Sequence, residues 1–182
     1  MKLPTIWTIG HSTRSFEELV EVLKHYGIEA VVDIRTVPRS RKNPQFNRDQ
    51  LETRLPDSGI EYIYAKDLGG LRKPVKDSPN SAWHNDSFRG FADYMQTDKF
   101  LAALGRLIEQ ASAKRTVLMC AEILPWRCHR SLIADALLPS GFEIVEIFDA
   151  EKSQPHKMTS FAVVDDGRVT YPVTGLGRSD AD

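Results

Sequence analysis

Apolar residues in this chain follow two alternating rhythms. Short dense runs at residues 6–9, 30–34, 60–64, 116–119 and 143–148 have the length and the β-branched and aromatic content of buried strands. Between several of them, apolar positions recur every three or four residues. Phe16, Leu19, Val20 and Leu23 share one helical face, as do Phe100, Leu101, Leu104, Leu107 and Ile108. Ser15 followed by Glu18 is a capping-box signature for the first of these helices, and Gly27 is its stop. Asn47 with Gln50 predicts another helix start, running to about residue 55. Helices are also expected over residues 91–95, 98–110 and 127–138, with irregular chain over 36–46 and from about 70 to 89. Near the C-terminus, β-rich runs at 159–164 and 168–171 flank Asp165, Asp166 and Gly167, a hairpin signal.

This alternation predicts an α/β fold: three layers, with a mostly parallel sheet flanked by helices, and a C-terminal β-hairpin. The 182 residues read as one domain over 1–176 followed by a frayed tail at 177–182, long enough to bury roughly 70% of the unfolded surface. Composition is that of an ordinary globular protein, 41% hydrophobic and 27% charged. A net charge of −1 offers no global attraction to nucleic acid, so any such attraction must be local. Two cysteines make no disulfide framework and suit a reducing compartment. With no apolar h-region at the start and no run near ~18 apolar residues, a cytoplasmic protein without membrane contact is expected. The pattern leaves the oligomeric state open.

In parallel sheets of this kind, ligands bind beyond the carboxyl ends of the strands. The polar residues of this chain gather there. The first strand ends in His11 and Ser12, the second in Asp33 and Arg35, the third in Asp67, and the fourth in Cys120 and Glu122.

The richest segment is the turn at residues 120–130. It contains both cysteines (Cys120 and Cys128), Glu122, Arg127, His129 and Arg130. Pro125 delays the helix, so a start near Arg127 or Cys128 would set free N–H groups beside the Cys128 thiol. On this reading Cys128 is the better-activated thiol and Cys120 the better-placed one. Cys120 with Arg127 resembles a thiolate loop closed by an arginine, although six residues intervene and none is glycine. Cys120 as a small buried hydrophobe is the plainer alternative. A redox pair remains open, as does a metal held by the cysteines and His129 with His11 or His84. The ligand spacing does not favour a metal, so no metal or other cofactor is expected.

His11 follows Gly10, which permits close backbone approach, and its imidazole is a candidate general acid/base. Asp33 and Arg35 alternate onto one side of their strand. They form either an internal salt bridge or an anion-binding arginine oriented by its carboxylate. Arg35, Arg39, Arg41, Lys42 and Arg48 occur with no acidic residue among positions 35–48, a composition that suits phosphate. Gly69, Gly70, Trp83, Phe88 and Phe91 belong to a stretch that would serve as an aromatic lid or as a packed loop.

Several blocks together resemble a known family. They are Thr8-Ile9-Gly10-His11-Ser12, Asp33-Ile34-Arg35 with Pro38 to Arg41, Asn43 to Asn47, Leu68 to Leu71, Phe91 to Tyr94, and Cys120 to Glu122 with Cys128 to Arg130. In this order they are similar to the family called domain of unknown function 488, over about residues 8–148. The resemblance implies an α/β domain and leaves the reaction open.

The reading that results is an enzyme acting on a phosphorylated, nucleotide-like or nucleic-acid substrate. Cys120 or Cys128 is its nucleophile, His11 its acid/base, and Glu122 the group orienting His11 or Arg130. Arg35, Arg39, Arg41 and Arg130 hold the anion, with Asp33, Ser12 and His129 beside it. The alternatives are a non-catalytic nucleic-acid or anion-binding module with structural cysteines, and a thiol redox sensor.

Overall fold

The computed structural model describes residues 2–173. Five strands, β1 (Thr5–Gly10), β2 (Ala30–Asp33), β3 (Glu61–Tyr64), β4 (Thr116–Cys120) and β5 (Glu143–Ile147), form a parallel sheet. A sixth, β6 (Ser153–Pro155), adds antiparallel to β5, giving the order β3-β2-β4-β1-β5-β6. The exposed Ser153-Gln154-Pro155 segment has no apolar alternation, which is why the sequence pattern does not announce it. A separate hairpin pairs β7 (Val163–Asp165) with β8 (Arg168–Thr170). Its turn residues Asp166 and Gly167 both take positive φ, at 50° and 76°, as the Asp-Gly signal requires.

Helices α1 (Phe16–His25) and α2 (Arg48–Asp57) cover one face of the sheet. The other face is covered by α3 (Asp86–Tyr94), α4 (Asp98–Ala113) and α5 (Arg130–Leu137). The capping box at Ser15 and Glu18 forms in full. Asn47 does occupy the N-cap of α2, but its side chain instead accepts the Ser40 N–H at 2.7 Å, so it ties down the basic loop. Helix α3 begins five residues earlier than its apolar pattern suggests. Asn85 caps it by accepting from Ser87 and Phe88 N–H groups, and Gly90 and a polar first turn hide it from periodicity.

The period of two along each strand divides its residues between the two faces. On β4, Val117 and Met119 face α1 and α2, while Leu118 and Cys120 face α3–α5. On β1, Trp7 and Ile9 join the α1–α2 side, and Ile6 the other. The chain leaves β1 in one direction for β2 and β3, returns to β4, then crosses to β5. Loops after β1 and β4 therefore diverge at a topological switch point, where a crevice opens. The expected tail at 177–182 lies outside the described residues. No helix among those described is long and apolar enough to cross a membrane.

Candidate active site

Backbone pairing carries β1 and β4 past their formal ends. His11 N–H donates to the Cys120 carbonyl at 2.8 Å, and Ser12 N–H to the Ala121 carbonyl at 3.0 Å. The chain then folds tightly over Gly10: a Cβ there would stand 1.8 Å from the Glu122 carbonyl oxygen and 2.8 Å from the Ile123 Cα. Only glycine lets the turn lie this low.

Arg130, 1% exposed at the start of α5, fixes that turn from below. Its Nη1 donates to the Glu122 carbonyl and to Cys120 Sγ at 2.6 Å, and its Nη2 donates to the Ile123 carbonyl at 2.8 Å. Cys128 Sγ lies 3.0 Å from Cys120 Sγ and donates to it. Burial alone would raise the Cys120 pKa. The Cys128 hydrogen bond and the Arg130 charge outweigh it and bring the thiol down to about 7. Donating to Cys120, together with burial, pushes the Cys128 thiol upward.

This reverses the expected order of the two cysteines. Helix α5 starts at Arg130 rather than at Cys128, after a single 3-10 turn at Pro125–Arg127; its first N–H, that of Arg130, reaches Cys128 Sγ at 3.5 Å, but the hydrogen bond given to Cys120 and burial outweigh it. The arginine that meets Cys120 is Arg130, and Arg127 stays exposed on the rim. Arg130 therefore turns its Nη donors inward, onto Cys120 Sγ and two backbone carbonyls, rather than outward as the expected anion holder would.

His129 is locked beside this pair. Its Nε2 lies 2.9 Å from the Leu68 carbonyl and 3.1 Å from that of Ile34, and so must carry the proton. That leaves the Nδ1 lone pair facing Cys128 Sγ at 3.6 Å. Burial lowers the His129 pKa to about 4, so the ring is neutral at pH 7. Gly70 packs against it: a Cβ at Gly70 would lie 2.9 Å from Nδ1.

The remaining residues lie on the α1–α2 side. Arg35 forks onto Asp33 with Nε–Oδ1 at 2.9 Å and Nη2–Oδ2 at 2.7 Å, and donates to the Phe46 carbonyl at 2.8 Å. Tyr62 donates to the same carboxylate at 2.5 Å. Arg35 Nη1 then points to His11 Nε2 at 3.4 Å, while His11 Nδ1 donates to the Ser12 carbonyl at 2.8 Å. Buried and stacked on Phe46, His11 has its pKa lowered to about 4. A histidine with its free lone pair turned to an arginine is a poor general base, so the expected acid/base role does not fit. Glu122 also departs from expectation. Its carboxylate accepts the Leu124 N–H at 3.3 Å, and only its backbone carbonyl reaches Arg130.

Two cavities open on this rim. One, of about 370 Å³, is lined by Cys120, Cys128, His129, Arg35, Arg127 and Phe88 among others. Its neighbour, of about 270 Å³, is lined by His11, Ser12, Arg39, Ser40 and Asn43. Arg35, Val37, Ala121 and Glu122 belong to the walls of both. Arg41 lines neither, and Asp67 borders a different cavity, paired with exposed Lys99 and Arg106. Of the two readings of the aromatic stretch, the structure has the packed loop. Buried Asp93 accepts from Val75 N–H, Ser78 and Asn80, and Trp83 packs among Phe88, Phe161 and Tyr171.

The chain belongs to the family described as Domain of unknown function DUF488, whose model matches residues 15–137. The match takes in Asp33, Arg35, both cysteines and Arg130. Gly10, His11 and Ser12 precede it. Neither a curated protein nor a solved structure matches the chain.

A third histidine, missed by the sequence reading, behaves oppositely to His11 and His129. Buried His156 sits between Asp135 Oδ1 at 2.8 Å and Glu146 Oε1 at 2.7 Å. Burial opposes its charge, but these two hydrogen bonds prevail and raise its pKa to about 9. The signs predict a stability optimum. Stability from His156 is full below pH ~6.5 and lost as pH rises through 9, worth on the order of 3 kcal/mol. The two lowered histidines contribute above pH ~6.5 and lose their contributions as pH falls through 4. Urea unfolding from pH 4 to 10 should therefore peak near neutrality, and His156→Gln should flatten the alkaline limb alone. An unchanged alkaline limb would refute the assignment.

Proposed function

We propose that this protein is a thiol-dependent hydrolase or transferase acting on an anionic, phosphate-bearing substrate, with Cys120 as nucleophile. One observation carries the proposal: Cys120 is a lining residue of a cavity at the strand carboxyl ends, and its Sγ accepts from Arg130 and Cys128 at 2.6 and 3.0 Å. A thiolate stabilised in this way and facing a ligand-sized space is suited to covalent catalysis. Arg35, Arg39 and Arg127, from three separate segments, line the two adjoining cavities and would receive the anion. The Asp33 fork takes up Nε and Nη2, while Nη1 has the long 3.4 Å contact to His11 Nε2, which an anion can replace. Cys128, a hydrogen-bond donor at the nucleophile, can return a proton to a departing group.

The test is site-resolved alkylation with iodoacetamide as a function of pH. Cys120 should titrate near 7 and Cys128 should react far more slowly. Pyrophosphate should protect Cys120, and Arg39→Ala with Arg127→Ala, both at exposed positions, should remove most of that protection. Arg35→Ala is a poorer probe, because it strands the buried Asp33 carboxylate and should cost about 3–5 kcal/mol of stability. A Cys120 that stays inert up to pH 9 in the folded protein would rule the proposal out.

A further inference from the structure

We infer that Cys120 and Cys128 form a two-electron oxidation site, closing reversibly to an intramolecular disulfide when a hydroperoxide enters the cavity. The inference rests on the proposed reading that Cys120 is the reactive thiolate, and it adds a role for Cys128.

Four features carry it. The sulfurs are already 3.0 Å apart in the buried turn, so a bond of about 2.05 Å needs a small approach rather than refolding. Both cysteines are among the residues that line the same 370 Å³ cavity, which gives a small oxidant one route toward the pair. Arg130, bonded to Cys120 Sγ at 2.6 Å, favours the thiolate that must attack the peroxide. His129 keeps the lone pair of its Nδ1, which faces Cys128 Sγ at 3.6 Å and can hold the Cys128 S–H once Cys120 is oxidised.

The steps balance as follows. The Cys120 thiolate attacks one oxygen of the hydroperoxide; an S–O bond forms, the O–O bond breaks, and hydroxide or alkoxide leaves with a proton from solvent. Cys120 is then a sulfenic acid, oxidised by two electrons. Cys128 attacks the Cys120 sulfur and gives up its proton to the oxygen that leaves. The S–S bond forms as the S–O bond breaks, and the departing hydroxide takes the proton to become water. Two thiols and one hydroperoxide thus yield one disulfide, one water and one alcohol (a second water when the oxidant is hydrogen peroxide). A disulfide removes the nucleophile and shields it from irreversible sulfinic acid; an external thiol reopens it.

The experiment uses the reduced full-length chain and one equivalent of hydrogen peroxide, followed by quenching and non-reducing peptide mapping. The expected product is monomeric, 2 Da lighter, has Cys120 and Cys128 peptides linked, and reverts fully with dithiothreitol. Cys128→Ser should stop at a Cys120 sulfenic acid that dimedone traps, and should then over-oxidise. Cys120→Ser should leave Cys128 unoxidised. Sulfinic acid at Cys120 of the unsubstituted chain without a linked peptide overturns the inference, and so does a disulfide between two chains. Rapid iodoacetamide alkylation of Cys120 with no reaction toward peroxide overturns the inference alone. Inertness to both reagents overturns the nucleophile reading as well.

Discussion

Arg130→Met should slow alkylation of Cys120 at pH 7.5 by at least about tenfold. The thiol pKa is set by burial pushing upward against Cys128 and Arg130 pulling downward. Removing the guanidinium lets burial prevail, and the pKa rises from about 7 past the reference of ~8.5 for a free cysteine. The Glu122 and Ile123 carbonyls, which Arg130 serves through Nη1 and Nη2, lose their donors at the same time. A stability loss of about 2–4 kcal/mol should follow in urea titration. Arg130→Lys separates the two effects. It keeps the charge near Cys120 but cannot fork, so it should retain much of the lowered pKa while still losing stability. If Arg130→Met leaves the alkylation profile of a folded protein unmoved, Arg130 is not the thiolate's partner.

Gly10→Ala should be the most damaging single methyl in the site. A Cβ cannot remain 1.8 Å from the Glu122 oxygen, and the obstacle is backbone, which no rotamer change relieves. Overpacking of this kind costs roughly 1–3 kcal/mol, and sometimes more. It should also act at a distance, by lifting the Glu122 carbonyl that Arg130 holds and so loosening Arg130 from Cys120. Slower Cys120 alkylation should therefore accompany the lower urea midpoint. Gly105→Ala provides the contrast. A Cβ there meets nothing within 4 Å in the middle of α4, and the protein should gain roughly 0.5–1 kcal/mol. Equal midpoints for the two variants would mean that the turn over Gly10 is not tightly packed.

Much of this molecule is determined by the chain taken locally. Strands β1 to β5 follow from dense apolar runs, α1 from its capping box, and the hairpin from Asp166 and Gly167. The alternation of strands and helices dictates parallel pairing, and parallel pairing gathers polar strand ends on one rim. Gly10 as a point of close approach and Asp33 with Arg35 as a pair are likewise local facts, since each depends on neighbours within two residues or on the absence of a side chain.

What a side chain does on that rim was decided only by the tertiary structure. The period of two sends Cys120 to the α3–α5 face and Asp33 to the α1–α2 face, and His11 stacks on Phe46 of the latter. One rim thus becomes two half-sites joined through Arg35 and the 121–122 turn. The 120–130 segment contains two arginines and two cysteines, and nothing in their order says which arginine faces which sulfur. The start of α5, set after a 3-10 turn, rotates Arg130 rather than Arg127 onto Cys120. The direction of each shifted pKa follows from such contacts. Burial makes His11 and His129 neutral, two distant carboxylates favour charged His156, and one thiol with one guanidinium lowers the Cys120 pKa. Electrostatic energy depends on separation and solvent exclusion, and neither is a property of position along a chain.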